Sequence, residues 1–106
     1  MKKKGFVYIW EYIVRVGCLS EFEKFYGPEG DWVQLFKKAK GYIATDLHQD
    51  ISNANRFITI DSWNTKEDRD DFRKKYSQEF ELLDKHCDGF TEREKLIGDF
   101  DSIMNR

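Results

Sequence analysis

The sequence predicts an α+β domain of the ferredoxin-like order β-α-β-β-α-β, built on an antiparallel sheet. Three observations predict it. Phe6–Arg15 is apolar at nearly every position, which marks a central strand covered on both faces. Tyr42–Gln49 and Arg56–Asn64 flank the turn-rich stretch Asp50–Asn55, as the arms of a hairpin do. Two helical patterns, each opened by a capping signal, stand before and after that hairpin.

In the first strand Phe6, Tyr8, Trp10, Tyr12 and Val14 alternate with Val7, Ile9, Glu11, Ile13 and Arg15. One face is thus aromatic and the other aliphatic with a charge of each sign. Gly17 allows a turn. Ser20-Glu-Phe-Glu23 reads as a capping box, the serine accepting from the third helical amide and Glu23 reaching back. Phe22, Phe25 and Tyr26 give this helix its apolar stripe. Gly27-Pro28-Glu29-Gly30 breaks it, since Pro28 cannot donate and glycines flank it. Asp31 is expected to cap a second half whose buried face is Trp32, Leu35, Phe36 and Ala39. Gly41 then ends it in the left-handed conformation.

In the third strand Ile58, Ile60 and Ser62 share one face, with Phe57, Thr59, Asp61 and Trp63 on the other. Thr65-Lys-Glu-Asp68 is a second capping box. Phe72, Tyr76, Phe80, Leu83 and Cys87 recur at helical spacing, which predicts one continuous helix closed by Gly89. Asp70/Lys74 and Glu81/Lys85 are expected as i,i+4 pairs on its wet side. Lys95–Ile103 is the last strand, with Gly98 at a bulge.

A chain of 106 residues is one domain, its core running from about 6 to 103. Aromatics reach 16%, so that core is built from few, large side chains. Charged residues make up 36% with a net charge of −2, which gives no electrostatic case for nucleic acid. Cys18 and Cys87 make no disulfide framework, and no Cys/His cluster has metal-site spacing. Met-Lys-Lys-Lys before an apolar stretch imitates a signal peptide, but Glu11 and Arg15 interrupt it and no cleavage site follows. No run approaches the ~20 apolar residues of a membrane span. The expectation is a soluble, reduced, cytoplasmic protein without membrane association.

Two helices cover only one face of a four-stranded sheet. The other face is either an aromatic platform or an interface. The RNA-recognition motif shares this order but needs a basic-Gly-aromatic signature on its third strand. Arg56-Phe-Ile-Thr-Ile-Asp61 has no glycine and puts a carboxylate where phosphate would approach. Two sheets packed face to face would instead close a barrel-like homodimer. Ile9, Ile13, Ile43, Leu47, Ile58 and Ile60 are expected at that interface, with Glu11 and Arg15 as a charge pair.

Val7-Tyr-Ile-Trp-Glu-Tyr, Val16-Gly17, Lys40-Gly-Tyr42 and Ile58-Thr-Ile-Asp-Ser-Trp63, followed by Asn-Thr-Lys-Glu-Asp and a helix holding Phe72, together resemble a known family. It is the antibiotic biosynthesis monooxygenase family of dimeric α+β barrels. The resemblance spans roughly Phe6 to Ile103 and rests on the combined spacing of Gly17, Gly41 and Trp63.

That resemblance implies oxidation of a small aromatic quinol or anthrone by molecular oxygen without a cofactor. The protein would supply an apolar pocket between sheet and helices, orientation, and help with a proton. Tyr8, Trp10 and Tyr12 would face Phe25, Trp32, Phe72 and Tyr76 there as substrate-binding residues. The alternative is that they are only core, in a non-catalytic dimer that binds a small ligand or acts as a scaffold. Haem-degrading members carry an Asn on the first strand and a Trp and a His on the second helix. Trp10, Phe72 and Leu82 stand at those positions, so haem is not expected.

Two residues are candidates for handling a proton. His48 qualifies if the face it shares with Tyr42, Ala44 and Asp46 looks toward the helices. Asp61 shares a face with Phe57 and Trp63, so it is either paired or raised in pKa by burial. His86 reads most simply as a favourable cation at a helix end.

Overall fold

The computed structural model describes residues 3–104. The strands are β1 (Lys3–Val14), β2 (Tyr42–Gln49), β3 (Arg56–Trp63) and β4 (Thr91–Met104). The helices are α1 (Leu19–Tyr26), α2 (Asp31–Phe36), α3 (Lys66–Lys75) and α4 (Ser77–Cys87), with a 3₁₀ turn at Asp88–Phe90. The strands form one antiparallel sheet in the order β2-β3-β1-β4. This is the α+β, ferredoxin-like arrangement. No helix among the described residues is long and apolar enough to cross a membrane.

The alternation in β1 sorts its side chains as the pleat requires. Phe6, Tyr8, Tyr12 and Val14 are buried under the helices together with Phe57, Asp61 and Trp63 of β3. Val7, Ile9, Ile13, Ile58 and Ile60 lie on the opposite face and are only half-buried. Phe100, cross-strand from Val7 on that face, is 43% exposed. Within a single chain, therefore, β1 is covered on its aromatic side alone.

Irregular pairing decides which residues reach the helices. Ile9 pairs with Gly98 and Trp10 with Leu96, so Ile97 is the extra residue of a bulge beside Gly98. A second shift skips Glu92 and carries β4 back to Thr91, four residues before the expected start. A third shift, in β2, was hidden in the sequence. Tyr42 pairs with Trp63 and Ala44 with Ser62, leaving Ile43 unpaired. One extra residue turns every later side chain to the other face. Leu47 consequently packs on the helix-side core rather than at the expected interface. His48, opposite Ile58, stands exposed on the open face and cannot serve the helix side.

The helices differ from expectation at their ends. Thr65 caps α3 as its motif predicts, accepting from the Asp68 N–H at 3.0 Å. Ser20 does not cap α1, which starts at Leu19 after Cys18 and has no side-chain cap. The turn at Gly17 places the Cys18 carbonyl to receive the N–H of the fully buried Phe22, two residues earlier than the box requires. Gly30, not Asp31, precedes α2, because a Cβ there would run into the Phe25 carbonyl. Asp31 instead lies in the first turn, where its charge suits the helix dipole. Gly41 does take the left-handed conformation, with φ +87°, but it does not end α2, which stops at Phe36 with Lys37 as its C-cap.

The single helix expected after Thr65 is bent into two at Tyr76, whose φ and ψ are −111° and 29°. Hydrogen bonds from Tyr76 to Phe72 and from Phe80 to Tyr76, both 2.9 Å, continue across the bend. The apolar period therefore survives it. The bend seats Phe72 5.5 Å from the Trp63 ring while Phe80 meets Trp32 edge-on at 5.0 Å.

The charges also pair differently. Asp70 binds Lys66 at 2.8 Å and Arg69 at 2.9 Å rather than Lys74. Glu11 binds Arg56 at 2.7 Å, diagonally across the β1–β3 pair, while Arg15 lies past the end of β1.

Candidate functional site

Between the sheet and the helices lies an open-mouthed cavity of about 60 Å³. Its floor is Tyr8, Trp10 and Tyr12 of β1 with Thr59 and Asp61 of β3 and Thr45 of β2. Tyr26, Trp32, Phe36 and Phe80 form its aromatic roof. Arg73, Asp84 and Glu94 complete its lining, all three on exposed residues. Aromatic walls with a few convergent polar groups suit a flat, partly polar guest.

Asp61 is the polar centre of the floor. It is only 4% exposed, and the Thr45 hydroxyl directly opposite on β2 donates to it at 2.5 Å. With that proton committed, Thr45 accepts from the Tyr42 hydroxyl at 2.8 Å. Burial pushes the Asp61 carboxyl up to about 7, against the pull of the Thr45 and Tyr8 hydroxyls and with a push from Asp46. Such a carboxyl takes or gives a proton near neutrality.

The neighbouring phenols stay protonated. Burial raises Tyr8, Tyr12 and Tyr26 well above the ordinary tyrosine value. Tyr12 and Thr59 share a hydrogen bond of 3.0 Å, and Tyr26 donates to Glu94 at 3.4 Å. Partial burial also raises Glu94 and Asp84, Glu94 further through Asp84, while Arg73 draws Asp84 back. The Arg73 guanidinium lies 4.2 Å from the centre of the Phe80 ring. Behind the floor, Arg69 stacks on Phe6 and Tyr8 at 5.0 and 4.8 Å and holds Asp99 of β4 at 3.2 Å. That clamp fixes α3 over the edge of the sheet.

Of the residues expected at a pocket, Tyr8, Trp10, Tyr12, Trp32 and Asp61 meet around this cavity. Phe25, Phe72 and Tyr76 do not. Phe25 turns toward His86 and Phe90 at 5.0 and 5.3 Å, away from the sheet centre. Phe72 is buried between Phe36 and Trp63. Tyr76, at the helix bend, donates to the Lys38 carbonyl at 3.2 Å. Tyr26, Phe36 and Phe80 had only their helical spacing to mark them, and Thr59 only its alternation with Asp61. Thr45 was concealed by the β2 bulge. Glu94 was concealed in the charged run Glu92-Arg-Glu-Lys95, and Arg73 and Asp84 had no signal beyond their charge. Among the described residues no group of three or more His, Cys, Asp or Glu could hold a metal ion.

No family model matches the sequence, and no curated protein does. The fold has clear counterparts among solved structures. SnoaB, a cofactor-independent oxygenase from Streptomyces nogalater, superposes with a TM-score of 0.75 over 96% of both chains at 17% identity. A Bordetella bronchiseptica protein assigned as an antibiotic biosynthesis monooxygenase gives 0.74 over 96% of this chain and 100% of its own, at 20% identity. The chain has the antibiotic biosynthesis monooxygenase fold. PA3566 from Pseudomonas aeruginosa shares that fold at 14% identity, with a TM-score of 0.66 over 98% of this chain and 97% of its own. At these identities the common property is the backbone. The side chains around the cavity must be argued from this chain itself.

Proposed function

We propose that the protein is a cofactor-independent monooxygenase that oxidises a small quinol or anthrone-type aromatic in the cavity between sheet and helices. Asp61 carries the reading: it is a buried carboxyl poised near neutrality in the floor of an aromatic cavity. The oxygenase SnoaB, of the same fold, supports it.

The substrate ring is held among Tyr8, Trp10, Tyr12 and Trp32, with its acidic hydroxyl at Asp61. Ionised Asp61 takes that proton, and the resulting anion is electron-rich enough to reduce molecular oxygen. Oxygen adds at the activated ring carbon. Loss of water from the peroxide leaves a carbonyl, so that CH₂ and O₂ become C=O and H₂O. The protein's part is orientation, exclusion of water and custody of one proton.

In this reading the protein is cytoplasmic and works as a homodimer. Val7, Ile9, Ile13, Ile58, Ile60 and Phe100 form an apolar sheet face that a second copy would bury. Oxygen uptake over a panel of naphthoquinols and anthrones, corrected for autoxidation, tests the activity. Saturable uptake that drops in a folded Trp32→Ala variant supports it. Binding of the same compounds without uptake favours a non-catalytic ligand-binding dimer.

A further inference from the structure

Asp61 lies on the cavity floor, and a base covered by a bound substrate needs a way to pass its proton on. Asp61 lies under the helices, and the Thr45 hydroxyl on β2 donates to its carboxylate at 2.5 Å. Thr45 in turn touches Tyr42, at 2.8 Å. These two residues sit on β2, the outermost strand on that side of the sheet. Tyr42 is half-buried, its ring packed 5.5 Å from both Phe36 and Trp63. Three hydroxyl or carboxyl groups are thus joined by hydrogen bonds from the cavity floor to a residue of the edge strand.

We propose that Thr45 and Tyr42 form a proton relay that connects Asp61 to solvent at the β2 edge. The inference rests on the reading of Asp61 as the base. With Asp61 ionised, Tyr42 donates to Thr45 and Thr45 donates to Asp61. When Asp61 receives a proton from the substrate hydroxyl, the line reverses. Asp61 gives its proton to the Thr45 oxygen, Thr45 gives its own to Tyr42, and the Tyr42 proton passes to water. One proton enters and one leaves, no electron moves, and each O–H bond broken is replaced by another. The reverse passage returns the proton that departs with the water of the reaction.

Other groups around Asp61 are less suited to this task. Tyr8 on β1 and Tyr26 on α1 line the cavity itself, whereas Tyr42 lies outside it. Asp46 on β2, opposite Ile60, stands on the other face of the sheet. Arg73, Asp84 and Glu94, from α3, α4 and β4, line the same cavity, but none hydrogen-bonds Asp61 among the described residues. A relay through them would cross the space a substrate occupies. The β2 line leaves the cavity at Thr45, on its floor.

The test is the rate at which Asp61 gains its proton after a pH jump across neutrality, followed by time-resolved infrared absorption of the carboxyl. Subtraction of the Asp61→Asn spectrum assigns the band. Thr45→Val keeps the size and removes the hydroxyl; Thr45→Ser keeps the hydroxyl. Tyr42→Phe keeps the ring and breaks the outer step. The relay predicts protonation slowed about tenfold or more in Thr45→Val and Tyr42→Phe, with Thr45→Ser near the wild-type rate. Wild-type rates in both hydroxyl-free variants overturn it. A slow Thr45→Val beside a normal Tyr42→Phe also overturns it, leaving Thr45 as a support for the carboxylate only. If Thr45→Val does not fold, Tyr42→Phe decides alone. Oxygen uptake does not enter the readout, so a relay in an inactive protein and an active protein without a relay are told apart.

Discussion

Thr45 and Asp61 face each other across the β2–β3 pair, joined by a 2.5 Å hydrogen bond under the helical layer. The pair exists because the bulge at Ile43 turns Thr45 inward. With regular pairing from Tyr42, Ala44 would stand opposite Asp61 and Thr45 would look away from the helices. A local irregularity of an edge strand thus sets the chemistry of the cavity floor.

Asp61 makes stability depend on pH with a definite sign. Its carboxyl rises from an unfolded value of 3.8 to about 7 in the fold. A raised carboxyl pKa favours folding most at pH values below the unfolded one. The contribution is lost as pH climbs from about 4 to about 7, by an amount on the order of 4 kcal/mol at most. Urea titrations at pH values spanning that window check it. Wild-type stability should fall relative to Asp61→Asn as pH rises through the window, and the difference should level off above it.

Turnover should carry the opposite pH sign. Ionised Asp61 is the working form, so uptake rises as pH passes through about 7. The rate profile of the wild type, fitted for one ionisation, provides the check. Thr45→Val removes a bond that holds the carboxyl down, so it should move the midpoint upward.

Phe72 and Trp32 should separate structure from function. Phe72 is buried against Trp63 and Phe36, outside the cavity, and Phe72→Ala should cost about 3–5 kcal/mol. Trp32 is in the roof, and its truncation should weaken ligand binding beyond its effect on folding. Denaturant titration and fluorescence binding on each variant compare the two effects.

His48 should be silent. It is exposed on the open sheet face, so His48→Ala should change stability within about 0.5 kcal/mol and leave the rate untouched. A large loss of uptake would place the proton chemistry on the wrong face.

The β2 bulge also marks the limit of what the residue pattern encodes. The alternation of β1 and β3 sorted Tyr8, Tyr12, Phe57, Asp61 and Trp63 to one face, because regular pairing leaves period two intact. In β2 a single unpaired Ile43 broke that period without a glycine or proline to announce it. Leu47 is consequently on the face opposite to the expected one, and His48 is separated from Tyr42, with which the alternation grouped it. The bend at Tyr76 was unannounced for the same reason, since the helical hydrogen bonds run across it. Thr65 and Gly41 were legible because a cap and a left-handed turn depend on local chemistry. The Tyr42–Thr45–Asp61 line depends on tertiary register, which no local pattern encodes.

The most direct measurement is oxygen uptake by wild type and Asp61→Asn at saturating anthrone or naphthoquinol, with folding verified for both. With Asp61 as the base, uptake is saturable in the wild type and falls about a hundredfold or more in the variant, with the ligand still bound. Equal uptake in the two proteins, or binding without any uptake, would contradict it.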